Sequence, residues 1–336
     1  MVTKPFSGPG NQYIFSTTPY GDGFVTVGED FQDDQHVTGR VWMSGDGSAW
    51  STVSSDAFAN AEVDLVATSG ASLVAIGRAR QGSSSGPWPT LVWVSEDGDV
   101  WNRLGADDHP LTDADVIGVT STPTGYVAWG LRGDRPVIAL SPDGRTWTEA
   151  SIGREFDHAV VQNVQPVAGG FAAIGYRLPV DGGTTKPPTY TNAAWWSPEG
   201  RAWTAADVEP GYGLGGLFTG TDGLLAVGGH SCGGCISPAT LWRSSDGRSW
   251  TAAGSDVQGF PLYASDGTRI VRYEWQSSHE IFESLDGFTW RRIGALNPMS
   301  VYGFTIGAHG FLISDSIPRN GPDDEVDGGV RFVAVR

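Results

Sequence analysis

Two positions beyond the end of a recurring strand signature, the chain places Asp30, Arg132, Arg177, His230 and Glu274, with Ala79 and Ile317 at the two remaining places. Such a set has the parts of an acid–base site. Glu274 and Asp30 supply an acid and a carboxylate, or His230 serves as the base. Arg132, Arg177 and the nearby Arg78 present planar guanidinium forks that fit a carboxylate or sulfate. Trp88, Trp275 and Tyr190 lie in the same loops and offer flat faces to a sugar ring, or else cover gaps above the core. Paired carboxylates suit glycoside hydrolysis, where their separation sets the stereochemistry. A plainer reading stays open beside this one, in which these are solvated charges pairing with one another at the loop bases.

The elements that hold these residues repeat. GFVTVG (23–28), SLVAIG (72–77), GYVAWG (125–130), GFAAIG (170–175) and GLLAVG (223–228) are short β-rich runs, with weaker copies at GTRIVR (267–272) and GFLISD (310–315). Another apolar run precedes each, such as VDLVATS (63–69). Between these signatures a second motif recurs: SGDGSAW, SEDGDVW, SPDGRTW, SPEGRAW, SSDGRSW and SLDGFTW, opening at Ser44, Ser95, Ser141, Ser197, Ser244 and Ser284. Its spacing of about 40–50 residues suggests blades of four strands. Asp-Gly between two strands is a hairpin signal whose two central residues take positive φ. Apolar residues nowhere follow a helical period over a dozen positions.

The expectation is therefore all-β, a seven-bladed β-propeller in one domain spanning 1–336. The blades fall near 11–58, 59–108, 109–155, 156–208, 209–256, 257–296 and 297–336. The seventh supplies only three strands, and a segment around Val2–Phe6 within residues 1–10 adds the closing fourth. Six blades with an extension is the alternative.

The Ser–acid–Gly–Trp motif resembles the Asp-box (BNR-type) repeat of sialidase-like and related glycosidase-type propellers, whose pattern is S-x-D-x-G-x-x-W. Here Gly follows the acid directly in all six copies, and Ser to Trp spans six positions rather than seven. The resemblance covers the scaffold over most of the chain. It implies that Asp46, Asp97, Asp143, Glu199, Asp246 and Asp286 are structural turn residues on the face away from a ligand pocket. Sialidases of that superfamily also carry an arginine triad and an F-R-I-P-like motif. Neither is recognisable here, and SIPRN (316–320) is not that motif.

Composition excludes some function classes. Asp and Glu number 38 against 21 Lys and Arg, for a net charge of −17. A field of that sign repels nucleic-acid phosphates and anionic membrane surfaces. No run of about 18 apolar residues is present. The start MVTKPFSGPG has no hydrophobic signal core. The low-lysine, Gly- and Trp-rich composition and one close cysteine pair fit an extracellular or cell-surface protein whose leader has been removed; a cytoplasmic protein is the alternative. Cys232 and Cys235 read as a loop disulfide, with a reduced pair and half a zinc site as alternatives. Asp323, Asp324, Glu325 and Asp327 read as a solvated acidic loop, with calcium as the alternative. No other cofactor is expected.

These readings lead to a monomeric, carbohydrate-directed propeller, a glycoside hydrolase or lyase that binds a glycan or small molecule at a central pocket among the variable loops. One alternative is a non-catalytic scaffold that binds a ligand or protein. Another is an acid–base cyclase or isomerase.

Overall fold

A computed structural model describes residues 2–6, 10–33, 36–80, 88–179, 190–228, 239–257, 261–274, 278–296, 301–318 and 326–334. The fold is a seven-bladed β-propeller. Blade one is the antiparallel meander Asn11–Tyr20, Gly23–Asp33, His36–Ser44 and Ser51–Val53. The same order recurs within 61–103, 115–149, 159–205, 214–257 and 262–295. Blade seven has three strands of its own, Val301–Gly307, Gly310–Pro318 and Val326–Ala334. Its fourth is Val2–Phe6, which pairs antiparallel with Val326–Ala334. Blade five gains a fifth strand that sequence patterning does not foresee, because Asp207–Val208 pairs parallel with Ser249–Trp250. No described helix is long and apolar enough to cross a membrane. Contact density divides the chain into two compact units. One comprises Met1–Tyr126, Ser141–Trp147 and Pro298–Arg336; the other comprises Val127–Leu140 and Thr148–Asn297.

Within each unit the sheets are held together by aromatic residues. Phe6, Phe58 and Phe156 each precede a blade and insert against two tryptophans of it. Phe58 lies 5.4 Å from Trp93 and 5.7 Å from Trp101 between ring centroids. Phe156 lies 4.6 Å from Trp195 and 6.3 Å from Trp203. Phe6 lies 4.7 Å from Trp42 and 5.3 Å from Trp50. Phe58 and Phe156 are delivered by single 3₁₀ turns, Asp56–Phe58 and Arg154–Phe156. The residue before each phenylalanine accepts a hydrogen bond from the facing indole: Trp93 Nε1 donates to the Ala57 carbonyl and Trp195 Nε1 to the Glu155 carbonyl, both at 2.8 Å. Buried aromatic pairs of this kind add about 0.5–1.5 kcal/mol beyond their area.

The Ser–acid–Gly–Trp motif forms the connection between the third and fourth strands. Only its glycine has positive φ, so the expected two-residue turn with two positive-φ centres is corrected: Gly47, Gly98, Gly144, Gly200, Gly247 and Gly287 have φ between 73° and 82°. In the third blade, Ser141 Oγ accepts from the Gly144 N–H at 2.8 Å. Asp143 Oδ1 accepts from the N–H groups of Arg145 and Thr146 at 2.8 and 2.7 Å. Trp147 Nε1 donates to the Gly144 carbonyl at 2.8 Å. The same bonds to serine and aspartate recur around Asp46, Asp97 and Asp286. Hydrogen bonds from the N–H groups of Val100 and Asp99 hold Asp97 below the usual carboxylate range. Those from Thr289 and Phe288 hold Asp286 at about 2.

Each motif glycine also presses on the preceding blade. A Cβ on Gly144 would collide with Val74, one on Gly98 with Met43, one on Gly247 with Ala172 and one on Gly287 with Leu225. The motif is a joint between blades. In blade four, Glu199 replaces the aspartate, and Ser197 Oγ is buried without a partner among the described residues. Among the described residues no turn N–H group bonds the Glu199 carboxylate.

Two expectations follow. Gly144→Ala destabilises the protein by about 3 kcal/mol, from left-handed strain plus overpacking. Gly169→Ala has the same backbone requirement, with φ 79° and open space around its Cβ, and costs only about 1 kcal/mol. Equal losses in chemical denaturation would remove the packing role. Glu199→Asp stabilises by about 1 kcal/mol through the recovered turn bonds, read as a higher denaturation midpoint at unchanged slope.

Candidate functional site

A second glycine explains the strand signature. The first strands of blades one, two, four, five and seven each carry one extra residue, at Phe15, Asp64, Gln162, Gly215 and Tyr302. A bulge re-aims side chains and brings the neighbouring strand close. The signature glycine makes room for it. A Cβ on Gly28, Gly77, Gly175 or Gly228 would collide with the carbonyl of Tyr13, Glu62, Val160 or Gly213.

In blades four to six the first strands line a groove of about 570 Å³. Its walls are Tyr176, Tyr190, Tyr212, Phe218 and Tyr263, with Gln162 and Asn163 as the amides. Tyr176 and Tyr190 lie 4.8 Å apart, and Phe218 stacks on Tyr263 at 4.9 Å. Burial, then the neighbouring Tyr190, raises the Tyr176 phenol above its usual range. Tyr212 is 53% exposed. The bulge at Gly215 leaves the backbone open, with only the Val227 carbonyl within reach of a Cβ there. No Asp or Glu is among the described lining residues. The groove can stack, hydrogen-bond and exclude water; its described walls hold no carboxylate for acid–base work.

A second constellation occupies blades one and two. The bulge places Asp64 beside Arg78, with Nε to Oδ2 at 3.2 Å, and Arg78 also faces Asp115 at 3.7 Å. Arg80 pairs with Glu62 and lies over the Trp88 ring at 4.2 Å. Glu29 is 4% exposed, and its Oε2 has no hydrogen-bond partner among the described residues. Burial, then the charge of Glu62, pushes Glu29 up to about 7 against the pull of Arg80. Burial and a hydrogen bond with Glu62 push Asp64 up, opposed by Arg78. Groups that exchange protons near neutral pH are suited to general acid–base work. Sequence reasoning singled out Arg78 and Trp88 here but missed Glu29, Glu62 and Asp64. The only signal was Asp64 breaking the apolar alternation of its strand.

The remaining sequence candidates have local partners. Asp30 is 1% exposed. It accepts from the Gly10 N–H at 2.9 Å and from Arg40 at 3.0 Å. Arg132 pairs with Glu149 at 3.0 Å. Arg177 donates to the carbonyls of Glu155 and Asp157 at 2.6 and 2.9 Å and stands 5.7 Å from the Trp195 ring. Glu274 pairs with Arg272 at 3.0 Å and accepts from Ser278 Oγ at 2.9 Å. Asp30, Arg78 and Trp88 belong to one compact unit, and Arg132, Arg177, Tyr190 and Glu274 to the other. His230, Trp275, Cys232, Cys235, Asp323, Asp324 and Glu325 lie outside the described residues, and Asp327 lies on Val326–Ala334. Among the described residues no group of three or more His, Cys, Asp or Glu is placed to hold a metal.

No family model and no curated protein matches the chain. Solved structures match its fold at low identity. YCF48 bound to D1 peptide is 13% identical, with TM-score 0.58 over 99% of this chain and 96% of that one. The β-propeller domain of the trilobed protease from Pyrococcus furiosus is 8% identical, with TM-score 0.60 over 98% and 96%. Trypanosoma rangeli sialidase with the inhibitor DANA is 12% identical, with TM-score 0.52 over 99% of this chain and 59% of that one. The likeness is one of fold.

The Glu29 carboxyl gives a pH signature. Its folded pKa lies above the unfolded value, so its neutral form is favoured in the native protein. Stability is lost as pH rises from the ordinary carboxylate range, about 4.5, through about 7. Glu29→Gln keeps the neutral shape. It is expected to raise the melting temperature at pH 8 by about 2–4 °C and to change it little at pH 4.5. The same shift at both pH values would show that ionisation is not the cause.

Proposed function

We propose that this chain is a non-catalytic binding propeller that holds an extended, apolar or proline-rich peptide segment in the tyrosine groove. The observation that carries this reading is the groove wall itself: four tyrosines and a phenylalanine with open glycine backbone and no described carboxylate. Extended peptides dock in aromatic-lined grooves because their backbone is already ordered, and an accessible strand edge supplies main-chain partners. Leu214–Gly220 is such an edge in its sheet. A protein of like fold, YCF48, is solved bound to a peptide. The hydrolase or lyase reading draws less support. Its two carboxylates, Asp30 and Glu274, are each held by an arginine.

Peptide display against the immobilised protein is expected to select sequences rich in Pro, Leu and aromatic residues. In calorimetric titration of the selected peptides, Tyr212→Ala and Tyr263→Ala should each weaken binding by about tenfold or more, the behaviour of central aromatic anchors. Selected peptides that bind both variants as well as wild type would remove the groove as the site. Selective binding of oligosaccharides there would replace the peptide with a glycan.

A further inference from the structure

The turn face of blades five and six holds a second cavity, of about 470 Å³. Its position follows from two motif places that neighbouring blades use to close the gap between them: the residue before the motif serine, and the residue after the motif glycine of the next blade. Between blades four and five these are Trp196 and Arg248, and the guanidinium lies 3.8 Å from the indole ring. At blades two and three Arg145, also the residue after its motif glycine, closes the gap by pairing at 3.2 Å with Glu96, the residue after the motif serine and two places beyond the position that Trp196 holds. Between blades five and six the two places hold Arg243 and Phe288, the same chemistry with the partners exchanged. They do not meet. Both line the cavity instead.

Arg243 makes no ion pair, hydrogen bond or ring contact from its side chain among the described residues, although the chain carries 38 Asp and Glu. Phe288 is 38% exposed. Ser245, Ser249 and Thr251 line the same space with hydroxyls that make no side-chain hydrogen bond among the described residues, and Asp222 adds a carboxylate. Leu224 and Leu225 give the wall an apolar part. A guanidinium fork and hydroxyls donate, the carboxylates of Asp222 and Asp286 and the hydroxyls accept, and one aromatic ring lines the space. That combination fits a ligand with alternating hydroxyls around a ring that has an apolar C–H face.

From this geometry we infer that the cavity between Arg243 and Phe288 is a binding site for a neutral pyranose sugar. Phe288 takes the C–H face, Arg243 and the three hydroxyls bond the ring hydroxyls, and Asp222 accepts from one of them. The net charge of −17 and the Asp222 carboxylate disfavour an anionic sugar. The site is independent of the tyrosine groove, whose lining shares no residue with it.

Saturation-transfer NMR tests the site with methyl glucoside, methyl galactoside and methyl mannoside as neutral probes, and glucuronate and inorganic phosphate as anionic ones. Wild type is expected to transfer magnetisation to at least one neutral glycoside, with the ring protons of one face strongest. Phe288→Ala and Arg243→Ala should each weaken that binding about tenfold, while Tyr212→Ala leaves it unchanged. Both replaced side chains are solvent-accessible, and equal melting temperatures confirm folded variants. The inference is overturned if no neutral glycoside binds, if glucuronate or phosphate is preferred, or if the two variants bind like wild type.

Discussion

Every blade that carries the motif depends on one contact: a glycine in the left-handed conformation, pressed flat against a side chain of the blade before it. Nothing larger fits at Gly144 or Gly287 without displacing Val74 or Leu225. The other motif residues hold that glycine in place. The serine oxygen accepts its N–H, the tryptophan indole donates to its carbonyl, and the aspartate accepts the next two N–H groups. This gives the five motif aspartates a structural task at the joint. A carboxylate already bonded to two N–H groups is a weak base, and its low pKa says the same thing in another form.

A second glycine, at the end of the strand signature, connects scaffold to site. It permits a bulge in the neighbouring first strand, and the bulge decides what faces outward there. In blade two that residue is Asp64, which is turned toward Arg78; in blades four and five it is Gln162 or Gly215, which leaves room beside the tyrosines. The scaffold thus repeats one backbone device and varies its passenger. Function can change from blade to blade without disturbing the sheets, because the bulged residue makes no ladder pair that the fold needs.

This division also explains what could be read in the sequence. The blades, the turn motif and the closing role of Val2–Phe6 were legible because each depends on residue types at fixed spacing. The bulges were not, since one extra residue inside a strand changes no composition and leaves at most a single polar residue out of step, as at Asp64. Without them, Asp30 stands out as the ionisable residue two places past the strand signature, yet it is tied to Arg40 and the Gly10 N–H. Its neighbour Glu29 is buried as well, with one oxygen unpaired among the described residues. The groove was hidden for a different reason. Tyr176, Tyr190, Tyr212 and Tyr263 come from three blades, and of the four only Tyr190 stands out in the sequence as a candidate. The fifth strand Asp207–Val208 was missed because two residues of parallel pairing leave no periodic pattern.

Two sets of carboxylates in this acidic chain respond to pH in opposite directions. The turn aspartates are favoured as anions by backbone N–H groups. Their stabilisation is complete above the ordinary carboxylate range and disappears as pH falls through their lowered values, about 2 for Asp286. Glu29 and Asp64 are favoured as neutral acids by burial and by the charge of Glu62. Their contribution is largest at low pH and fades as pH rises through about 7 for Glu29. The first set sits at exposed joints and the second inside blades one and two, so neither can compensate the other locally. Between the two ranges both sets hold the form that the native structure favours. Within the cluster the two arginines work against the burial that favours the neutral acids: Arg80 pulls Glu29 down and Arg78 pulls Asp64 down, so each carboxyl is held between a buried site and a nearby cation.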